Sequence, residues 1–390
     1  MCGADTDCNS RTAGCIVVGA HAGGAKGKIP AKGGFMTSRD RVRAALQHTQ
    51  PDVTPCDYFS TPEIHQGLKA RLNAASRDEL LDKLGVDIRY VRPPYIGPKL
   101  PTFADGSKTD VWGIRWKPMP NEYGDYAEPL GLPYAPWTTV EEAAAFPWPS
   151  ADWYDYSAIP ALCARYTGLA VAAGDFGIQD FINGTGFGRG VEQVLVDIAL
   201  RDPVFLFIVE KRHRFAMEHI DRILTAANGR IDLVLCGDDF GSQRGALISP
   251  LLFDELFAAR KKEFFDMVHT HGARVSHHCC GSSRAFFPRF IALGMDSIQT
   301  IQPRAEGMNP YSLKAEFGGS ICLHGAVDVQ GWLQQSRPEE IRREVHKLMD
   351  EVGRGGGYIL APSHNLQPDT PIDNVLAVYA AVAERRDIKR

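Results

Sequence analysis

The chain has 390 residues, 44% apolar and 23% charged, with a formal net charge of −4. Such a composition is that of a soluble globular protein with a large core. The negative balance argues against nucleic acid as the main partner, and no apolar run approaches the roughly 20 residues that would cross a bilayer. Nine cysteines, odd in number and unevenly spaced, do not make a disulfide framework, so a reducing cytoplasm is expected.

Residues 1–35 hold Cys2, Cys8 and Cys15 among clustered glycines, with no sustained helical or strand period. They are expected to be a disordered or non-native extension, and the folded unit to span 36–390. Thr37 and Asp40 form a capping box for a helix carrying Val42, Ala45 and Leu46. Helices are predicted at about 61–75 and 77–84, then an apolar run from Val86 to Val91 that Pro93, Pro94 and Pro98 break. The region 100–160 concentrates Trp112, Trp116, Trp137, Trp148 and Trp153. It reads either as a lid or substrate rim, or as a satellite core under a long insertion.

After Tyr166 strands and helices alternate. Leu169 to Ala173 reads as a strand and Gly184 to Gly190 as a flexible turn near the site. Helices at about 191–200 and 204–226 follow, the second capped by Asp202 with Pro203 in its first turn. Ile231 to Cys236 is the next strand and ends in Gly-Asp-Asp-Phe-Gly; Ser249 and Pro250 open a helix that Gly272 stops. Then comes Ala273 to Gly281, Ala-Arg-Val-Ser-His-His-Cys-Cys-Gly. Further on, a helix is predicted around 283–293, a strand over Ser297 to Ile301, a helix near 310–317, and a strand over Ser320 to Leu323 ending at His324. A capping box from Ser336 to Glu339, a strand over Tyr358 to Ala361 and a terminal helix opened by Thr370-Pro371 complete the pattern. Repeated strand–helix units imply parallel strands with helical crossovers. No G-x-G-x-x-G follows the first strand, which argues against a dinucleotide-binding open sheet. A single (β/α)8 barrel of TIM type is expected, with an N-terminal helical segment and a long aromatic-rich insertion or lid.

In such a barrel the chemistry sits at the C-terminal ends of the strands. Asp238 and Asp239, His278 and Cys280, His324, and His364 all fall at predicted strand ends. Side chains alternate along a strand, so His278 and Cys280 share one face while His277 and Cys279 share the other. Either pair offers zinc two preferred ligand types; equally, the four residues could simply fill a core. His269 and His271 close a helix, where the dipole favours histidine, and Cys236 and Cys322 read as buried strand residues. Asp239 is a candidate proton acceptor or histidine-orienting group. Helix capping or salt bridging would account for Asp238 and Asp239 equally well. Gln243 and Asn365 are candidate substrate hydrogen-bond groups.

The segments Gly-Asp-Asp-Phe-Gly-Ser-Gln-Arg-Gly at 237–245, His-x-Cys-Gly at 278–281, His-Gly-Ala-Val-Asp at 324–328 and Gly-Gly-Gly-Tyr-Ile-Leu-Ala-Pro-Ser-His-Asn at 355–365 resemble the uroporphyrinogen decarboxylase superfamily. The resemblance spans about 36–386 and implies one β/α barrel. His-x-Cys-Gly is similar to the zinc motif of the superfamily's corrinoid-linked methyltransferases, the corrinoid:coenzyme M enzymes among them. It implies that His278 and Cys280 are zinc ligands.

In those enzymes the third ligand is a cysteine in a segment resembling 359–365, where this chain has His364. The implied set is therefore His278, Cys280 and His364, with His324 the substitute ligand if His364 points away and otherwise a catalytic contact to substrate. One thiolate fewer leaves the zinc more electrophilic, which weakens the expectation of a coenzyme M type of acceptor. The arginine-rich signature of the decarboxylases is replaced near Pro51 to Glu63 by Pro-Asp-Val-Thr-Pro-Cys-Asp-Tyr-Phe-Ser-Thr-Pro-Glu. The reading is a zinc methyltransferase or demethylase moving a methyl group between a small methylated substrate or methyl-corrinoid protein and an acceptor such as a thiol. The alternatives are a decarboxylase or other lyase acting on a small carboxylated substrate, or a non-catalytic binding barrel. Any corrinoid would ride on a separate protein, because the chain shows no corrinoid-binding domain. A homodimer is expected.

Overall fold

The computed structural model describes residues 35–121 and 124–387. Apart from Phe35, the extension expected over 1–35 lies outside the described residues. The first element is the helix Ser38–Leu46, opened by the reciprocal cap between Thr37 and Asp40. Its buried face, Val42, Ala45 and Leu46, packs on Ile88, Ala170, Leu233 and Ile359, all at or near the starts of strands. The helix thus plugs the N-terminal end of a barrel. From the same helix Arg39 and Arg43 reach the buried Asp232 carboxylate at 2.9 and 2.8 Å, and that carboxylate also accepts from the Val171 N–H.

β1 (Ile88–Val91) belongs to the main sheet, and β2 (Lys108–Thr109), β3 (Arg115–Asn121) and β4 (Gly124–Pro129) form a small antiparallel sheet. β5 (Ala170–Gly174), β6 (Leu233–Gly237), β7 (Arg274–His278), β8 (Ser297–Ile301), β9 (Cys322–Val327) and β10 (Tyr358–Pro362) return to the main sheet. Its seven strands pair in parallel in the order β1-β5-β6-β7-β8-β9-β10. Strands such as Ala-Val-Ala-Ala-Gly and Leu-Val-Leu-Cys-Gly are buried throughout. Interior packing on one face and helices on the other require this.

The gap between β10 and β1 is closed by Pro55–Asp57, which the sequence does not present as a strand. The Leu360 N–H donates to the Pro55 carbonyl and the Asp57 N–H to the Leu360 carbonyl, while the Asp87 N–H donates to the Cys56 carbonyl. The Cys56 N–H is taken by the Asp87 carboxylate, and Pro55 has no N–H to give. The eighth position is therefore real but irregular, and the fold is the expected β/α barrel. Register carries one rung across four strands, pairing His278 with Gln299, Gln299 with His324, and His324 with Ile359.

Three local expectations change. Gly184 to Gly190 is not a turn: Asn183–Arg189 is a helix. A Cβ at Gly188 would stand 2.4 Å from the Tyr134 ring, and one at Gly184 would stand 2.5 Å from the Arg212 guanidinium. These glycines serve close packing rather than flexibility. β9 begins and ends later than predicted, so His324 lies inside the strand instead of at its end. In place of the late capping box, one residue further on, Glu340 alone caps the helix by accepting from the Arg337 N–H at 2.9 Å.

In the aromatic region the packing alternative holds. Trp112, Trp116, Trp137 and Trp148 pack with Tyr134, Phe146 and Phe187 around Ile114, Ala143, Val204 and Ile208. The region is an insertion with its own core, seated on the helix Pro203–Ala227. Among the described residues, no helix is long and apolar enough to cross a membrane.

Asp232→Ala removes the shared partner of two arginines and of a buried backbone N–H. It should lower stability by about 1–3 kcal/mol in urea unfolding, the cost of leaving the buried Val171 N–H unpaired, since both arginines can turn to water.

Candidate metal centre

β7 ends at His278, and the chain then leaves the sheet in a turn that Gly281 makes with φ +70°. A side chain at Gly281 would meet the Ser242 carbonyl at 2.6 Å, so glycine is required there. The turn's N–H groups have lost their ladder partners, and side chains replace them. Asp239 Oδ1 accepts from the Cys280 N–H at 2.7 Å, and Gln302 Oε1 accepts from the Gly281 N–H at 2.7 Å. Asp239 Oδ2 accepts from the Asn183 amide at 2.7 Å, which ties the turn to the start of the neighbouring helix. Cys280 is in this way fixed from two sides.

His278 donates its Nδ1–H to Gln299 Oε1 on the adjacent strand. That contact fixes the tautomer and leaves the Nε2 lone pair facing Cys280 Sγ, 3.1 Å away. From the end of β10, His364 brings its ring to 5.9 Å from that of His278. One ligand atom from each of His278, Cys280 and His364 lies within 4.8 Å of the others. A tetrahedral zinc with ordinary bonds places its ligand atoms about 3.3–3.8 Å apart. Burial holds the His278 imidazole below its ordinary pKa, partly offset by Asp239. Burial and the neighbouring His278 bring His364 down to about 4. Both rings are therefore neutral at pH 7, as metal ligation requires. The Cys280 thiol is pushed up by burial and then by Asp239. Two neutral imidazoles and one thiol are a donor set that fits zinc, the cation that would convert the thiol to thiolate.

His277 and Cys279 are fully buried on the opposite face, His277 among Phe240, Phe265 and Phe290. His324 is also fully buried. Its Nε2 stands 3.3 Å from Asp57 Oδ2, which Tyr90 O–H already engages at 2.7 Å. It is His364, then, that stands beside the His278–Cys280 pair. Asp238 accepts from the Ile182 N–H, with Lys261 Nζ 3.8 Å away, and burial raises its carboxyl to about 6. It buttresses the end of β6. Phe176 lies against His278 with centroids 4.4 Å apart, and Phe59 follows Phe176 at 5.6 Å.

A cavity of about 280 Å³ opens beside the centre, with Cys280 and His364 in one wall and Gln243, Gln302, Gln330 and Gln367 around the rest. Gln243, a candidate from the sequence, is among the lining residues. Asn365 does not line the cavity: its carbonyl accepts from the Gln367 amide, and Gln367 takes the wall instead. Gln299 and Gln302 were not foreseen. The available signal was a glutamine inside the predicted strand Ser297 to Ile301, where a buried amide needs a partner.

Residues 211–385 match the family model "Uroporphyrinogen decarboxylase (URO-D)". Over these residues, a little under half of its length, the chain is similar to that family. It is 30% identical over 77 residues to a uroporphyrinogen decarboxylase of Actinobacillus succinogenes, covering 20% of this chain and 21% of that one. To that of Methylococcus capsulatus it is 34% identical over 73 residues, covering 19% and 20%. These alignments span about a fifth of each relative's length. In three dimensions the chain is similar to a methyltransferase from Methanosarcina mazei, with a TM-score of 0.62 and 17% identity. That match covers 90% of this chain and 99% of the other, and shows a shared fold.

Gln299→Leu should weaken zinc binding about 10–100-fold by releasing the His278 tautomer. Competition against a chromophoric chelator measures it, with circular dichroism confirming an unchanged fold.

Proposed function

We propose that this chain belongs to the uroporphyrinogen decarboxylase superfamily and is a zinc-dependent methyltransferase, demethylating a small methylated substrate and passing the methyl group to a thiol or to a corrinoid on a separate protein. The observation that carries this reading is the convergence of His278 Nε2, Cys280 Sγ and His364 on one point of a cavity wall. Zinc held there would supply Lewis acidity, making a bound heteroatom a better leaving group or a bound thiol a better nucleophile. In the transfer the methyl carbon goes to the acceptor, and the electron pair of the broken bond stays on the substrate's oxygen or sulfur. The residues of this chain do the positioning. Gln299 orients His278, Asp239 holds the Cys280 backbone, and the Phe176 and Phe59 rings keep water from one side of the centre.

A carboxy-lyase is the second reading, favoured by the names of the two decarboxylase relatives. The cavity speaks against it, because neither lysine nor arginine stands among its lining residues to grip a carboxylate.

Elemental mass spectrometry should find close to one zinc per chain in the parent and a loss of it in His278→Ala, Cys280→Ser and His364→Ala. The zinc-loaded parent should methylate free cob(I)alamin or a thiol from a methylated donor, and Cys280→Ser should be slower by about 100-fold or more. A parent that stays metal-free after reloading would displace the methyltransferase reading in favour of the lyase.

A further inference from the structure

Two glutamines that line the cavity, Gln302 and Gln243, carry a hydrogen-bond pattern that the network fixes. Gln302 Oε1 accepts from the Gly281 N–H at 2.7 Å, so the oxygen end of that amide is identified. Gln243 Nε2 donates to the same oxygen at 3.2 Å, which identifies the Gln243 nitrogen in turn. What remains is a donor, the Gln302 NH₂, beside an acceptor, Gln243 Oε1. Among the described residues neither has another partner, although Gln302 is only 5% exposed. Gln330 and Gln367 continue the wall, and none of these four carries a charge.

A donor set beside an acceptor is complementary to a group that is itself both. A hydroxyl or a carboxamide accepts from Gln302 and donates to Gln243. A carboxylate has no proton for the Gln243 oxygen, and an ammonium has no lone pair for the Gln302 amide. With no charged side chain in this wall, either ion would also give up hydration without a counter-charge. Nor is this end an aromatic cage for a quaternary ammonium, since the lining residues include no phenylalanine, tyrosine or tryptophan.

We propose that the cavity selects an uncharged substrate that carries, besides the transferred methyl, a hydroxyl or carboxamide read by Gln243 and Gln302. The assignment rests on the reading of His278, Cys280 and His364 as the reacting end. It deepens that reading by naming the substrate class.

Three probes of nearly equal shape test it: 4-methoxybenzyl alcohol, 4-methoxybenzoate and 4-methoxybenzylammonium. Their binding is measured by calorimetry at pH 7, without a methyl acceptor, on the parent and on Cys280→Ser. The alcohol should bind at least about 10-fold tighter than either ion, because each ion leaves one wall group unpaired. Gln243→Leu, at an exposed position, should shrink that preference several-fold, and Gln243→Glu should turn it toward the ammonium. Equal binding of the three, tighter binding of an ion, no measurable binding, or a preference untouched in Gln243→Leu would overturn the proposal. Transfer without the preference would sink this inference alone. The preference without transfer would sink the methyltransferase reading and leave the wall assignment standing.

Discussion

The hydrogen bonds between Leu360 and Pro55–Asp57 are what turn an open seven-stranded sheet into a barrel, and the centre depends on that closure. His278 ends β7 and His364 follows β10, three strands away in the sheet order. Adjacent strands lie about 4.8 Å apart, so in a flat sheet these two histidines would be separated by roughly 14 Å. Their rings are 5.9 Å apart because the sheet curls on itself. The floor is held by the same logic from below. The helix Ser38–Leu46 seats apolar residues into the barrel and anchors two arginines on Asp232.

Legibility in the sequence followed the strength of the local pattern. The period-two placement of His278 and Cys280, and the glycine after them, could be read directly because a strand's alternation is rigid. The choice between the two faces came from the family resemblance, not from the alternation itself. Pro55–Asp57 was illegible as a strand because its pairing alternates between backbone and the Asp87 side chain. Asn183–Arg189 was misread because glycine signals a turn locally. Here it answers instead to Tyr134 and Arg212, which are distant in sequence. The tryptophans could not by themselves separate a lid from a satellite core, since an aromatic cluster looks alike whether it packs on a helix or covers a ligand. The supporting amides Gln299 and Gln302 depend on contacts across strands, which no single stretch of sequence displays.

The third donor of the centre gives it a particular chemical character. An imidazole at His364 in place of a second thiolate leaves two neutral ligands and one anionic ligand, so a divalent cation would keep a net positive charge. Such a centre polarises a bound heteroatom more strongly and enriches a bound thiolate less. On the proposed methyltransferase reading, this would favour activation of the leaving group over activation of a bound thiol.

Strand β8 and the residue just beyond it join the two halves of the site. Gln299 faces His278 and sets which nitrogen is free, while Gln302 holds the Gly281 N–H and offers its NH₂ to the cavity. The Gly281 N–H belongs to the same turn whose Cys280 N–H rests on Asp239. A displacement of Gln302 would therefore move both the recognition wall and the backbone that aims Cys280. Distance along a rigid strand end sets the spacing between the reacting point and the recognised group. Because Gln299 and Gln302 rise from one short segment, the proposed recognition group and the proposed reacting point would be held together by the backbone rather than by loops.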